Sequence, residues 1–331
     1  MENRVVITQA ISTQQEYIDR TNGFIEQYKK LHDGQVPSPD CLLVFIADKR
    51  PTISKSTWKK YRASGVYYFQ TNGLNALADK LASISNEGTL PATKTSANKK
   101  KLITQKEEET LRESLYAHRS QKQSWFRPLY AYFETILCTG MRPSEIPSAE
   151  FIEDGPLPPD IYLGDYPVLK VKNAKATNGR SFGVYRYVNI SRLTKEQHLL
   201  IRIAIILGSK AIMPDGRASK SFNDYYNGLR KAFARLVGAQ LTQKSKGLSL
   251  YSLRHQCIAD LKHADYQLSD IAAIVGHGSD VTATEHYGRR RVGRSRKGLS
   301  QPNPVDAAKV KPLMAKKMAS KAKPTKSISP G

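Results

Sequence analysis

Along most of this chain apolar residues recur every three or four positions, and the stretch that breaks the rhythm is short. Between Tyr166 and Ile190 the pattern turns to alternation: Val168, Leu169 and Val171, then the basic run NAKATNGR, then Val184, Tyr185, Tyr187, Val188 and Ile190. Alternation of that length holds one hairpin. Elsewhere the spacing is helical. Tyr17, Thr21, Phe24, Tyr28 and Leu31 form a stripe ended by Asp33-Gly34; Trp58, Tyr61, Gly65 and Tyr68 form a second, and Leu74, Leu77, Leu81 and Ile84 a third. Thr104 with Glu107 is a capping-box pattern, an aromatic and aliphatic run covers Trp125 to Leu137, and Ser221 stands as a cap before Phe222, Tyr225, Leu229, Phe233 and Leu236. The expected fold is mainly α with a small antiparallel sheet.

Punctuation divides the chain. Residues 88–101 are rich in Thr, Ser, Asn, Pro and Lys and end in Lys99-Lys100-Lys101, a basic linker between a helical domain over 1–87 and a mixed α/β domain over 102–297. Residues 298–331 carry five prolines among Lys, Ala and Ser and read as a basic, disordered tail. The 331 residues include 52 Lys and Arg against 29 Asp and Glu, a net charge of +23, which points to a polyanionic partner, nucleic acid before an acidic membrane. The longest apolar runs, Cys41–Ala47 and Leu199–Leu207, fall far short of the ~20 residues of a spanning helix. The N-terminus lacks the pattern of an export signal, so the expected location is the cytoplasm, on DNA. Cys41, Cys138 and Cys257 have no metal-site spacing and are expected to be buried.

Three segments of the second domain carry chemistry: Thr139-Gly140-Met141-Arg142-Pro143-Ser144-Glu145-Ile146, then Tyr251-Ser252-Leu253-Arg254-His255, then Val275-Gly276-His277 with Tyr287 ten residues on. Each has an ordinary explanation taken alone. Arg142 and Glu145 make a local ion pair, His277 follows a helix-capping glycine, and Tyr287 is one of 17 tyrosines. Their conjunction, in this order and in so basic a chain, outweighs the three separate accounts. Together the segments resemble the boxes of the tyrosine recombinase (phage-type integrase) family, over about residues 102–290; the first 87 residues are only generically similar to its helical core-binding domain.

The resemblance implies site-specific recombination, in which DNA strands are cut and rejoined through a covalent 3′-phosphotyrosine on Tyr287, without metal, ATP or other cofactor. It implies duplex DNA as partner, a homotetramer on paired sites and an accessory directionality factor. Arg142 and Arg254 become the arginines that hold the scissile phosphate, with His277 as a further donor and Glu145 orienting the network. Those residue types suit the reaction. A five-coordinate phosphorus concentrates negative charge on its non-bridging oxygens, and guanidinium forks keep their charge at any working pH. A phenol with a pKa near ~10 must lose its proton as it attacks, and a cationic field assists. The departing 5′ oxygen needs a proton, for which a lysine in the hairpin turn is suited: Lys175 in KATNGR, with Lys172 as the alternative.

One position departs from the family. Tyr251 stands where His or Lys is usual, and three roles stay open for it: weak base, hydrogen bond to the phosphate with water or His286 as base, or packing. Candidate DNA contacts are Lys59, Lys60 and Arg62 on one helix, Lys99, Lys100 and Lys101 in the linker, and Lys172; a solvated helix face is the ordinary alternative for the first three. Two other functions remain on the sequence alone: a type IB topoisomerase-like DNA relaxing enzyme, and a non-catalytic DNA-binding relative.

Overall fold

Capping residues set the boundaries of the helices. Ser38 and Ser54 accept from the backbone N–H of Cys41 and Thr57 at the starts of α2 (Pro39–Asp48) and α3 (Lys55–Thr71), while α1 (Ile11–Leu31) stops where Asp33 and Gly34 turn to positive φ. With α4 (Asn75–Ser83) these helices bury Phe24, Leu42, Leu43, Ile46, Trp58, Phe69, Ala78 and Leu81 in one small core. The computed structural model describes residues 11–91, 100–174, 181–282, 287 and 289–314, and the chain divides into compact units at 1–98 and 99–331. Cys41 corrects the sequence reading. It occupies the first turn of α2 on the side away from Leu42, Leu43 and Ile46 and is exposed, whereas Cys138 and Cys257 are buried.

The second unit is built on α5 (Gln105–His118), α6 (Phe126–Thr139), α7 (Lys195–Ser209), α8 (Phe222–Gln240), α9 (Leu250–His263) and α10 (Leu268–Val275). Thr104 and Glu107 form the capping box of α5, and Ser221 caps α8. One antiparallel sheet, in the order β1 (Glu150–Ile152), β2 (Val168–Lys172), β3 (Tyr185–Asn189), β4 (Gln301–Pro302), lies beside the helices. The hairpin register sets Val168 opposite Asn189 and Lys172 opposite Tyr185. α6 is buried along nearly its whole length and forms the axis of the unit's core.

The tail is a second correction. Residues 299–314 are part of the folded unit: β4 closes the sheet, and a short last helix, α11 (Pro304–Lys309), follows it. Leu299, Ser300, Asn303, Asp306 and Val310 are all buried. The Asp306 carboxylate accepts from Tyr187 N–H at 2.7 Å, Asn303 Nδ2 donates to the Ile161 carbonyl at 2.7 Å, and Val310 packs against Ala272 and Ala273. Composition misleads here because it counts prolines without their positions. Pro302 lies on an edge strand, where a missing N–H costs little, and Pro304 opens a helix, where its fixed φ helps. Residues 315–331 lie outside the described residues. Deleting 299–331 is therefore expected to lower the melting temperature by roughly 10 °C, as losing a few kcal/mol does in a unit of this size. A melt unchanged by the deletion would contradict this account.

Candidate active site

Two left-handed glycines set the frame. α6 ends at Gly140 (φ 63°) and α10 at Gly276 (φ 71°), so the chain leaves each helix by a tight turn, delivering Arg142 from one and His277 from the other. Neither glycine has room for a side chain: a Cβ on Gly140 would lie 2.9 Å from Val275 Cγ1, and one on Gly276 2.4 Å from Asn173 Oδ1. Arg254 enters from α9. Its guanidinium is fully buried, donating to the carbonyls of Gly140 and Val275 (2.9 Å to the latter) and to His277 Nε2 at 3.0 Å. The same side chain thus ties both glycine turns to α9.

Tyr287 lies against this frame. Arg254 Cζ is 5.4 Å from its ring centroid, and the rings of His277 and His255 approach it at 4.8 and 4.7 Å. Its hydroxyl is 2.8 Å from the hydroxyl of Tyr251. Burial pushes the Tyr287 phenol up, but the charge of Arg254, hydrogen bonds from Tyr251 and Arg254, and the charge of Arg142 bring it below the ordinary phenol value. Tyr251 moves the other way, raised first by burial. The pair therefore favours Tyr251 keeping its proton and donating to the Tyr287 oxygen, a role outside the three left open on the sequence.

His277 is held neutral, well below the usual imidazole range, by burial and then by the charges of Arg254, Arg142 and Arg186. Because Arg254 can only donate to Nε2, the proton of neutral His277 belongs on Nδ1, a buried atom with no hydrogen-bond partner among the described residues. It is a free donor. Burial also pushes His255 down, to about 4, so this ring too is neutral at pH 7.

Glu145 is the hub of the anionic side. Its carboxylate accepts from Arg142 Nη1 at 2.6 Å and from Arg142 N–H at 2.9 Å, from Arg186 Nη2 at 2.7 Å and from Ala174 N–H at 3.2 Å. Buried though it is, those arginines hold it ionised, far below the usual carboxylate range.

Arg142, Glu145, Tyr251, Arg254, His277 and Tyr287 are thus brought together. Lys172 is exposed at the end of β2, and Lys175 lies outside the described residues, one position beyond the Ala174 amide bound to Glu145. The proposed DNA contacts separate. Lys59, Lys60 and Lys101 are exposed, Lys99 lies outside the described residues, and two are engaged within the fold: Arg62 Nη1 donates to the Ile84 carbonyl at 2.5 Å, and Lys100 pairs with Glu107. Sequence reasoning missed Arg186, Asn173 and His255. The signal for Arg186 was present, since alternation along β3 sets it on the same inward side as Val188 and Ile190, all three buried.

Replacing Tyr251 with Phe removes the hydrogen bond that lowers the Tyr287 pKa. The pH at which the Tyr287 phenol ionises is expected to rise by up to about one unit, since one such bond contributes about 1 kcal/mol. A profile identical to the wild type would contradict the donor role.

Among the described residues no group of His, Cys, Asp and Glu is arranged to hold a metal ion, and no helix is long and apolar enough to cross a membrane. No family model and no curated protein matches this chain. Solved structures do. The chain is similar to a Tn1549 transposon integrase in complex with transposon right end DNA (15% identity, 84% of this chain and 95% of that one, TM-score 0.46). It is also similar to the XerH site-specific recombinase bound to its difH substrate (17% identity, 85% and 77%, TM-score 0.43) and to a lambda integrase dimer bound to a core site (13% identity, 85% and 82%, TM-score 0.41).

Proposed function

We propose that this chain is a tyrosine recombinase, which cuts and rejoins DNA strands through Tyr287. The observation that carries the reading is the setting of the Tyr287 hydroxyl: a phenol made more acidic by two arginines, beside a neutral histidine whose Nδ1 proton has no partner among the described residues. In this reading Arg142, Arg254 and His277 Nδ1 receive the non-bridging oxygens of the scissile phosphate. The Tyr287 oxygen attacks phosphorus as its proton passes to water, and the P–O bond to the 5′ oxygen breaks. Lys175, or Lys172 in its place, gives that oxygen a proton. The phosphotyrosine ester keeps the energy of the broken bond, so a 5′ hydroxyl from a second strand reverses the step. Duplex DNA is the partner, and the homotetramer and directionality factor implied by the sequence belong to the same proposal.

The test works with the target sequence unspecified. Nicked duplexes with randomised flanks are incubated with the protein, and covalent protein–DNA species are recovered under denaturing conditions and sequenced. Adducts with a common sequence are expected. No adduct would overturn the reading in favour of a DNA-binding protein without strand chemistry, and relaxation of supercoiled plasmid lacking the recovered sequence would favour a topoisomerase.

A further inference from the structure

Arg186 is the arginine that neither the sequence motifs nor the reaction called for. It sits mid-strand in β3 and is fully buried, and its guanidinium donates to three different segments: Nε to the Ile274 carbonyl at 2.8 Å, Nη1 to Asn173 Oδ1 at 2.5 Å and Nη2 to Glu145 Oε2 at 2.7 Å. Ile274 is in the last turn of α10, three residues before His277. Asn173 closes the root of the hairpin, where its backbone N–H donates to Val184 and its side chain to the Gly183 carbonyl. Glu145 holds Arg142. The turn carrying His277 is fitted onto this arginine so closely that a Cβ on Gly276 would come within 2.7 Å of Arg186 Nη1.

Packing alone does not ask for such a residue. An inward position on a strand is filled more cheaply by an apolar side chain of similar volume, because burying a guanidinium and a carboxylate together costs about as much as their attraction returns. What an apolar residue cannot supply is charge. Among the buried groups, Arg142, Arg186 and Arg254 set against Glu145, with His255 and His277 neutral, leave a net charge of two, matching the two negative charges of a phosphorane formed from a phosphodiester monoanion and a phenolate. Without Arg186, Arg142 would be the one ion-pair partner left to Glu145 among the described residues, and the two charges would cancel.

We propose that Arg186 is a positioning residue for the strand-transfer reaction: it locks Glu145, the hairpin root and the α10 turn together and absorbs the Glu145 charge, so that Arg142 acts on the phosphate undiminished. This rests on the tyrosine recombinase reading and goes beyond it by assigning a third arginine. The test compares two forms of the duplex recovered as an adduct, one with the natural phosphodiester and one with a neutral methylphosphonate at the scissile position. Wild-type protein is measured first; if it forms no adduct, the reading itself has failed and the inference falls with it.

Given wild-type adducts, Arg186→Met is expected to slow attack on the phosphodiester on the order of 100-fold and attack on the methylphosphonate far less, because the latter brings one fewer negative charge. Restoring the charge balance with Arg186→Met/Glu145→Gln should recover much of the phosphodiester rate. Asn173→Ala, which removes a bond and no charge, should slow both substrates equally. Equal losses by Arg186→Met on both substrates would overturn the charge role and leave an ordinary structural arginine. If Arg186→Met does not fold, as its melting curve would reveal, the double variant decides. A phosphodiester rate no better than that of Glu145→Gln alone would overturn the proposal, and a rate well above it would support it.

Discussion

Tyr287→Phe is expected to abolish covalent DNA adducts, by more than about 10,000-fold, as the loss of a nucleophile does when no other group can take its place. The substitution removes one oxygen and little else. The ring keeps its contacts with His255, His277 and Arg254, while the hydroxyl's hydrogen bonds with Tyr251 and Arg254 are lost. DNA affinity should change by less than about tenfold, since the hydrogen bonds lost are within the protein, and one neutral bond to the phosphate would contribute about 1 kcal/mol. Binding by gel shift and adduct yield by denaturing gel, measured on the same duplex, separate the two effects. A variant that kept adducts would remove Tyr287 from the chemistry, and one that lost binding altogether would make it a structural residue.

The second large effect is expected at Arg254. Its guanidinium does three things at once: it closes the Gly140 turn, closes the Val275 turn, and fixes the tautomer of His277. Lysine keeps the charge but has no planar fork, so Arg254→Lys cannot satisfy both carbonyls and the imidazole together. The chemical step should slow roughly 1,000-fold, with a stability loss of about 2 kcal/mol from a buried carbonyl left without a donor. Single-turnover cleavage at saturating protein reads the first, and a chemical denaturation curve the second. A lysine variant within tenfold of the wild type would mean that charge alone is needed there, and that the fork geometry carries no part of the catalysis.

The sequence displays the elements well and their contacts poorly, and the difference is physical. Helical stripes such as Phe222, Tyr225, Leu229, Phe233 and Leu236, and caps such as Thr104 with Glu107, depend on neighbours three or four positions away, so they can be read along the chain. The motif residues are also legible, because the chemistry they suit restricts residue type. Hidden from the sequence is the pairing across long intervals: Arg186 with Glu145 over 41 positions, Tyr251 with Tyr287 over 36, Asp306 with Tyr187 over 119. The tail shows the same limit. Its prolines and lysines look unfoldable by composition, but two prolines sit at positions that tolerate them, and the residues that anchor the segment, Ser300, Asn303 and Asp306, are polar side chains whose partners lie elsewhere in the unit. Arg62 and Lys100 read as cations free for DNA because their carbonyl and carboxylate partners are invisible along the chain.

In the proposed reaction the Tyr287 oxygen, beside the buried Arg254 guanidinium, is the atom that becomes joined to DNA. Trapping the adduct on a nicked duplex, digesting protein and DNA, and sequencing the nucleotide-bearing peptide by mass spectrometry identifies the linked atom's residue directly. The peptide containing Tyr287 should carry the phosphonucleotide; its appearance on Tyr251 or on any other residue would contradict the assignment.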